Sequence, residues 1–275
     1  YGLNTTRIET MTAISLSHLR AHRDAGTKFS VVTAYDACFA EAASAAGIDC
    51  LLVGDSLGMV LQGHASTLPV TVHDMAYHTR CVASAKPDSF VIADMPFMAA
   101  ATLDTAMQAA QTLMQQGAQM IKLEGSTHLT DLIRRYRDQG VPTCCHLGLT
   151  PQFVNQFGGY KVQGRDQRTA DQMVEAAIAL QAAGADMLLL ECVPNALTTR
   201  IMEATTVPVV GIGAGPEPTG QVLVMHDLLG ITPGKPARFV KNFLEGQPSI
   251  QAALRAYDQA VKKGRFPEQA HCFAE

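Results

Sequence analysis

One short phrase recurs along this chain and limits its fold more than any other feature. A small residue or Gln is followed by Gly, then an apolar residue, then a brief apolar run. The phrase stands at Ala46-Gly47-Ile48 before Cys50–Val53, and at Gln116-Gly117-Ala118 before Met120–Leu123. It returns at Gln139-Gly140-Val141 before Thr143–Cys145, and at Ala183-Gly184-Ala185 before Met187–Leu190. Glycine just past a helix end adopts the left-handed conformation without a Cβ penalty, so each phrase reads as a helix stop feeding a strand. Phe29–Thr33, Phe90–Ala93 and Val207–Ile212 are further apolar runs, and Gln221–Met225 makes an eighth.

Helical patterns fill the gaps. Thr102 to Gln116 carries apolar residues at 103, 106, 107, 110, 113 and 114, one face of a 3.6-residue period. Asp36 leads directly into a helix over Ala37–Ala46, and Thr169 with Gln172 forms a capping-box pattern opening Ala170–Ala183. Strands that are apolar throughout and alternate with helices form a parallel sheet covered on both faces. Eight such runs predict a closed (β/α)8 barrel, the TIM barrel, which typically uses ~250 residues as one domain. A helix over Ser15–Ala25 is expected to cap the barrel floor, and helices after Pro236 to complete the outer wall. The catalytic domain is read as residues 11–275, and residues 1–10, ahead of Met11, as an extraneous or disordered leader.

Composition narrows the possible functions. With 47% apolar and 17% charged residues the chain can bury a large core. A net charge of -4, no Trp and 6% aromatic residues supply neither a basic surface nor stacking platforms, so no nucleic acid is expected. No apolar run reaches the ~20 residues needed to span a bilayer, and the first residues lack the layout of a secretion signal. The seven cysteines contain no CxxC pair and read as reduced, buried thiols of a cytoplasmic protein acting on small molecules.

In such a barrel the active site lies at the C-terminal ends of the strands. Ionisable residues recur there: Asp36, Asp55, Asp94, Glu124, His146 and Glu191. Asp36 is best explained as a helix N-cap, because a helix follows at once. Asp94 precedes Met95-Pro96-Phe97 well ahead of the next helix, Glu124 precedes Gly125-Ser126 with Thr127 the better cap, and Asp55 opens a long loop. These carboxylates point to the barrel mouth. Side chains alternate along a strand, so Lys122 and Glu124 face the axis while Leu123 faces the helices. Lys122 is then either half of a simple ion pair with Glu124 or a functional counter-charge.

Oxygen donors without clustered thiolates suit a hard cation, and Mg2+ takes a few carboxylates while keeping room for water or substrate. An α-keto acid offers two adjacent oxygens to such a cation, with Lys122 neutralising its carboxylate. Metal polarisation acidifies the neighbouring C–H, and Glu191 is the expected base, its pKa raised by an apolar wall of Leu190, Cys192 and Val193. His146 reads equally as an accessory site residue or a core histidine. Gly211-Ile212-Gly213-Ala214-Gly215 resembles a dinucleotide fingerprint, but Pro216 and Pro218 stand where a helix should open, so a tight strand-end turn is expected. His18 and His22 are read as a solvated helix face.

Longer stretches carry a family resemblance. Thr33-Ala34-Tyr35-Asp36, Leu52 to Met59, Ala93 to Phe97 and Ile121 to Gly125 are similar to ketopantoate hydroxymethyltransferase. So are His146 to Gln152, Gly158 to Arg165, Leu190 to Pro194 and Gly211 to Gly215, in order along the chain. The resemblance implies hydroxymethyl transfer from 5,10-methylenetetrahydrofolate to 3-methyl-2-oxobutanoate, the first committed step towards pantothenate. It implies Asp55, Asp94 and Glu124 as Mg2+ positions, with Glu124 acting through water. It further implies Asp55, Ser56, Asp94 and Lys122 as the keto-acid site, Glu191 as proton acceptor, and a cytoplasmic homo-oligomer, a decamer of two pentameric rings. One departure is Thr219, where the family usually has Asp before Gly220-Gln221.

Two other readings share parts of this pattern. A lyase or mutase of the phosphoenolpyruvate mutase/isocitrate lyase type uses the same barrel and metal-enolate logic, but its lyases' Lys-Lys-Cys-Gly-His type motif is absent. A non-catalytic keto-acid-binding barrel would not need Asp94, Lys122, Glu124 and Glu191 together.

Overall fold

A computed structural model describes residues 13–273. The expectation for residues 1–10 falls outside that range. In chain order the elements begin with α1 (Leu16–Ala25), β1 (Phe29–Thr33), α2 (Ala37–Ala45) and β2 (Cys50–Val53). Next come α3 (Leu57–Val60), α4 (Val72–Ser84), β3 (Phe90–Asp94), α5 (Leu103–Gln115), β4 (Met120–Glu124) and α6 (Thr130–Asp138). Then follow β5 (Thr143–Gly148), α7 (Val154–Phe157), α8 (Gln167–Ala183), β6 (Met187–Glu191) and α9 (Asn195–Ala204). The series ends with β7 (Val209–Ile212), β8 (Gly220–Leu223), α10 (Met225–Leu228) and α11 (Ile250–Lys262). The eight strands pair in parallel and in order, and β8 returns to β1, so the sheet closes into the expected barrel.

The buried residues divide into two clusters because side chains alternate along each strand. Val31, Cys50, Leu52, Phe90, Ile92, Met120, Cys144, Met187, Leu189, Val210 and Val222 fill the barrel interior. Val32, Leu51, Val91, Ile121, Leu123, Cys145, Leu188, Leu190 and Leu223 face the helices. Leu19 of α1 joins the interior cluster and closes its floor beside Phe29. Burying that side chain contributes about 1.5–3 kcal/mol.

Several boundaries differ from the sequence reading. Helix α8 begins three residues before Ala170, because Asp166 is its cap and accepts the Thr169 N–H at 3.0 Å. Thr169 itself sits in the first turn and is not the cap. Thr127 caps nothing either: it starts a short 3₁₀ turn, Thr127–Leu129, ahead of α6. By contrast, Asp36 caps α2 as expected, its Oδ1 accepting the Phe39 N–H at 2.9 Å.

No helix intervenes between β7 and β8. Residues 213–219 return from the top of β7 to the floor through a series of bends. Seven residues reach ~23 Å when extended, enough to run back beside a four-residue strand of ~13 Å. Lys28 holds this crossover, its Nζ donating to the carbonyls of Pro216, Glu217 and Pro218 at 2.7–2.9 Å. Helix α11 closes the outer wall: its Tyr257 hydroxyl lies 2.8 Å from the carbonyls of Val31 and Gln221.

Candidate active site

Alternation and register together assemble the site. Inward positions rise through Ile92 to Asp94, through Met120 and Lys122 to Glu124, through Cys144 to His146, and through Leu189 to Glu191. Parallel pairing sets Asp94 beside Lys122 and Glu124 beside His146, while Gly148 pairs with Glu191. The charged groups therefore crown an apolar interior at the C-terminal mouth.

Lys122 is the centre of this crown. Its Nζ lies 2.7 Å from Asp94 Oδ1 and 3.7 Å from Glu124 Oε1. The simple Lys122–Glu124 pair expected as the structural alternative is thus the longer contact, and Asp94 is the nearer partner. The Asp55 N–H donates to Asp94 Oδ2 at 2.9 Å, which ties the β2 loop to β3. His146 bridges to the opposite side, with Nδ1 3.4 Å from Glu124 Oε1 and Nε2 3.4 Å from Glu191 Oε2. Both are ion-pair separations and not aligned hydrogen bonds. His146 is buried between these two carboxylates and lines the cavity between the strand ends.

Electrostatics follow from the crowding. Burial first, then the neighbouring Asp94 and Glu124 carboxylates, push the Asp55 carboxyl well above its ordinary range. Burial acts on Glu124 the same way, but His146, Lys122 and the Gln152 N–H outweigh it and hold its pKa below the usual value. Burial would lower Lys122, yet Asp94, Glu124 and Asp55 raise it further, so the ammonium stays charged.

Of the apolar wall expected around Glu191, Cys192 lines the same cavity, while Leu190 and Val193 belong to the outer layer. Leu190 points outward into the helix layer, as alternation requires. The Glu191 carboxylate is 16% exposed to the cavity and faces His146 at 2%. Next to it, Cys192 holds a positive φ of 48°, a backbone conformation that costs a non-glycine residue about 1–3 kcal/mol.

Gln152, Tyr35 and Tyr160 complete the site, and charge patterning on strand ends did not single them out. Gln152 lies in the 3₁₀ turn Pro151–Phe153 after β5 and donates to two of the carboxylates. The Tyr35 and Ser56 hydroxyls are hydrogen-bonded at 2.9 Å. Tyr160 belongs to the glycine-bearing loop before α8 and overhangs the mouth, its hydroxyl 3.7 Å from Met59 Sδ. Ser56, Met59 and Tyr160 join the charged crown in lining a cavity of about 530 Å³ that also includes Leu52, Leu189, Ile212, Phe239 and Phe273.

The donors facing this cavity are carboxylate oxygens, the chemistry that Mg2+ prefers. Asp94 Oδ1 has no partner besides its 2.7 Å ion pair with Lys122 among the described residues, and Asp55 is destabilised by the carboxylates beside it. Both observations fit a cation. Among the described residues, no three His, Cys, Asp or Glu side chains converge as a closed metal cage. One or two carboxylates plus water and substrate is the usual Mg2+ shell.

The remaining motifs lie elsewhere. Gly211 to Gly215 forms the tight turn at the end of β7, with positive φ at Gly213 and Gly215. A Cβ on Gly213 would lie 2.9 Å from the Phe239 ring, so the turn makes room for a cavity wall. Thr219 sits at the entry of β8, on the floor, where its carbonyl accepts the Phe29 N–H at 3.0 Å. The departure from the family pattern is therefore remote from the site. His18 and His22 of α1 bond locally, to Ser15 and Thr27.

Known proteins with this architecture agree at two levels. Phosphonopyruvate hydrolase, in a complex with oxalate and Mg++, superposes with a TM-score of 0.62 over 93% of this chain and 97% of its own, at 15% identity. Phosphoenolpyruvate phosphomutase from Streptomyces platensis superposes at 0.61 over 78% and 83%, at 17% identity. These likenesses show a shared barrel. Sequence relatives are far closer. The 3-methyl-2-oxobutanoate hydroxymethyltransferase of Marinobacter nauticus is 55% identical, over 95% of this chain and 99% of its own. That of Chromohalobacter salexigens is 56% identical, over 96% and 100%. Residues 13–269 match the family described as ketopantoate hydroxymethyltransferase, a span that holds every strand and every charged group of the crown, and the chain belongs to that family of transferases.

Proposed function

We propose that this enzyme transfers a hydroxymethyl group from 5,10-methylenetetrahydrofolate to C3 of 3-methyl-2-oxobutanoate, forming ketopantoate on the way to pantothenate. The observation that carries the reading is the division of labour at the mouth. Lys122, buried among Asp94, Asp55 and Glu124, is a fixed cation beside a carboxylate cluster, while Glu191 stands apart across His146. A keto acid needs both: a counter-charge for its carboxylate and a base for its C3 proton.

Asp55 and Asp94 are the residues that would hold Mg2+ directly, with Glu124 reaching it through water. When bound, the ion would polarise the keto group and acidify the neighbouring C–H. Lys122 and Ser56 receive the substrate carboxylate and fix its orientation. Glu191 then takes the C3 proton onto its carboxylate. The electron pair left at C3 forms the new bond to the methylene carbon as one of that carbon's two C–N bonds breaks. Water then replaces the second nitrogen and supplies the hydroxyl, and tetrahydrofolate leaves with the C3 proton and one proton of the water on its two nitrogens. The apolar floor of Leu52, Leu189 and Ile212 excludes bulk water beneath the reacting carbon.

No helix among the described residues is long and apolar enough to cross a membrane. By the family resemblance we assign the enzyme to the cytoplasm as a homodecamer, which sedimentation would test.

The decisive experiment follows exchange of C3–H of 3-methyl-2-oxobutanoate for solvent deuterium, with Mg2+ and without folate. Exchange in the wild type, abolished by Glu191→Gln and by chelation, is the expected result. An intact C3–H in the wild type, or undiminished exchange in the variant, overturns the mechanism. Ketopantoate formation on adding the folate tests the complete reaction.

A further inference from the structure

We infer that Gln152 is a positioning residue that fixes the Asp55 and Glu124 carboxylates for a divalent cation, an inference that rests on the metal reading above. Its amide Nε2 donates to Asp55 Oδ2 at 2.8 Å and to the Met95 carbonyl at 2.9 Å. Its backbone N–H donates to Glu124 Oε2 at 2.9 Å. One residue of the loop after β5 thereby joins the loop after β2, the exit of β3 and the end of β4.

The chemistry of the amide leaves no alternative orientation. A primary amide nitrogen carries two hydrogens, and both are used on acceptors. Rotating the amide by half a turn would set Oε1 against a carboxylate and a carbonyl, two acceptors with no proton between them. Pro151 opens the 3₁₀ turn with its backbone angle already fixed, which aims the next N–H at Glu124. Asp55 Oδ2 and Glu124 Oε2 are engaged by Gln152, which leaves Asp55 Oδ1 for a cation, while Glu124 Oε1 stands 3.4 Å from His146 Nδ1 and 3.7 Å from Lys122 Nζ. Without the amide, Asp55 is a buried carboxylate beside Asp94 and Glu124, and repulsion between like charges turns it away. Partners that orient metal-binding side chains typically contribute about 10–100-fold in metal affinity.

The test is Mn2+ binding, read by loss of the free-ion electron paramagnetic resonance signal and by Mg2+ competition, on wild type, Gln152→Leu, Gln152→Asn and Gln152→Glu. Gln152→Leu is expected to weaken Mn2+ binding about 10–100-fold. Gln152→Glu should weaken it more, because it aims a third acceptor at Asp55 and the Met95 carbonyl. Exchange activity lost at low Mg2+ should return as Mg2+ is raised in Gln152→Leu, which a merely misfolded variant would not show. If that variant does not fold, Gln152→Asn, one methylene short of Asp55, carries the same comparison. Wild-type binding with unchanged affinity in the folded variants overturns this role alone. Failure of the wild type to bind Mn2+ overturns this role and the metal reading together.

Discussion

Glu191 and His146 face each other across β5 and β6, with 3.4 Å between Oε2 and Nε2, and the same ring reaches Glu124 at 3.4 Å through its other nitrogen. A buried imidazole between two carboxylates is stabilised as the cation. Burial alone would lower its pKa, but Glu124 and Glu191 outweigh burial and raise it from 6.5 to about 9. Because the folded value lies above the unfolded one, this contribution to stability is complete below pH 6.5 and is lost as pH rises through about 9. Denaturant stability of the metal-free protein should therefore fall across that window, and His146→Gln should flatten the fall. A wild type with constant stability from pH 6.5 to 9 would refute the charged state of this ring.

Lys122 is the cation that reaches both Asp94 and Glu124, whereas His146 reaches Glu124 but not Asp94. Lys122→Met keeps the stem's volume and removes the charge. Three buried carboxylates then keep only the His146 ring as a counter-charge, and breaking such a group costs about 3–5 kcal/mol. Millimolar Mg2+ should restore part of that loss by supplying positive charge, while keto-acid binding stays impaired. Urea denaturation with and without Mg2+ measures both. A loss under about 1 kcal/mol would mean that the carboxylates are solvated or protonated and not held by the lysine.

The crown was legible in the sequence because each of its members ends an apolar run whose alternation is strict. Once Ile92 and Met120 face inward, Asp94, Lys122 and Glu124 must do so as well. The same logic, applied across the strand, would have turned Leu190 away from Glu191; adjacency in sequence was mistaken for adjacency in space. Gln152 was beyond reach of strand-end charge patterning for a different reason. Its partner Asp55 is 97 positions away, and their contact depends on a single turn after β5. The missing helix between β7 and β8 left a trace in Pro216 and Pro218, which spoiled the dinucleotide fingerprint for the same reason that they prevent a helix.

Gly148 offers a test of how tightly the backbone places Glu191. It pairs with Glu191 at the end of β5 with φ at 91°, and a Cβ there would lie 2.3 Å from the Glu191 carbonyl oxygen and 2.8 Å from Val193 Cγ1. The Leu149 N–H donates to that same carbonyl at 2.8 Å. Gly148→Ala must move the Glu191 backbone, besides costing about 1–3 kcal/mol for the left-handed conformation. The C3 exchange rate per folded molecule is expected to drop by roughly 100-fold, since small displacements of a catalytic group have that effect. Exchange reduced only in proportion to the folded fraction would show that the Glu191 side chain compensates.

The floor of the barrel provides the opposite case. Lys262 of α11 lies 3.0 Å from Asp49 Oδ2 and 2.7 Å from Asp258 Oδ1, and donates to the Gly47 carbonyl at 2.7 Å. Ser30 completes the cluster, its N–H donating to Asp49 at 2.9 Å and its hydroxyl to Asp258 at 2.6 Å. This network latches α11 onto the entries of β1 and β2, at the end of the barrel where charged residues serve stability. With the lysine gone, two buried carboxylates lose their shared donor, so Lys262→Met should cost about 1.5–3 kcal/mol. The crown at the other end of the strands is untouched, so C3 exchange per folded molecule should match the wild type at temperatures where the variant remains folded. A fall in exchange without a fall in stability would place α11 in the chemistry, against the separation of stabilising and reacting ends that the barrel imposes.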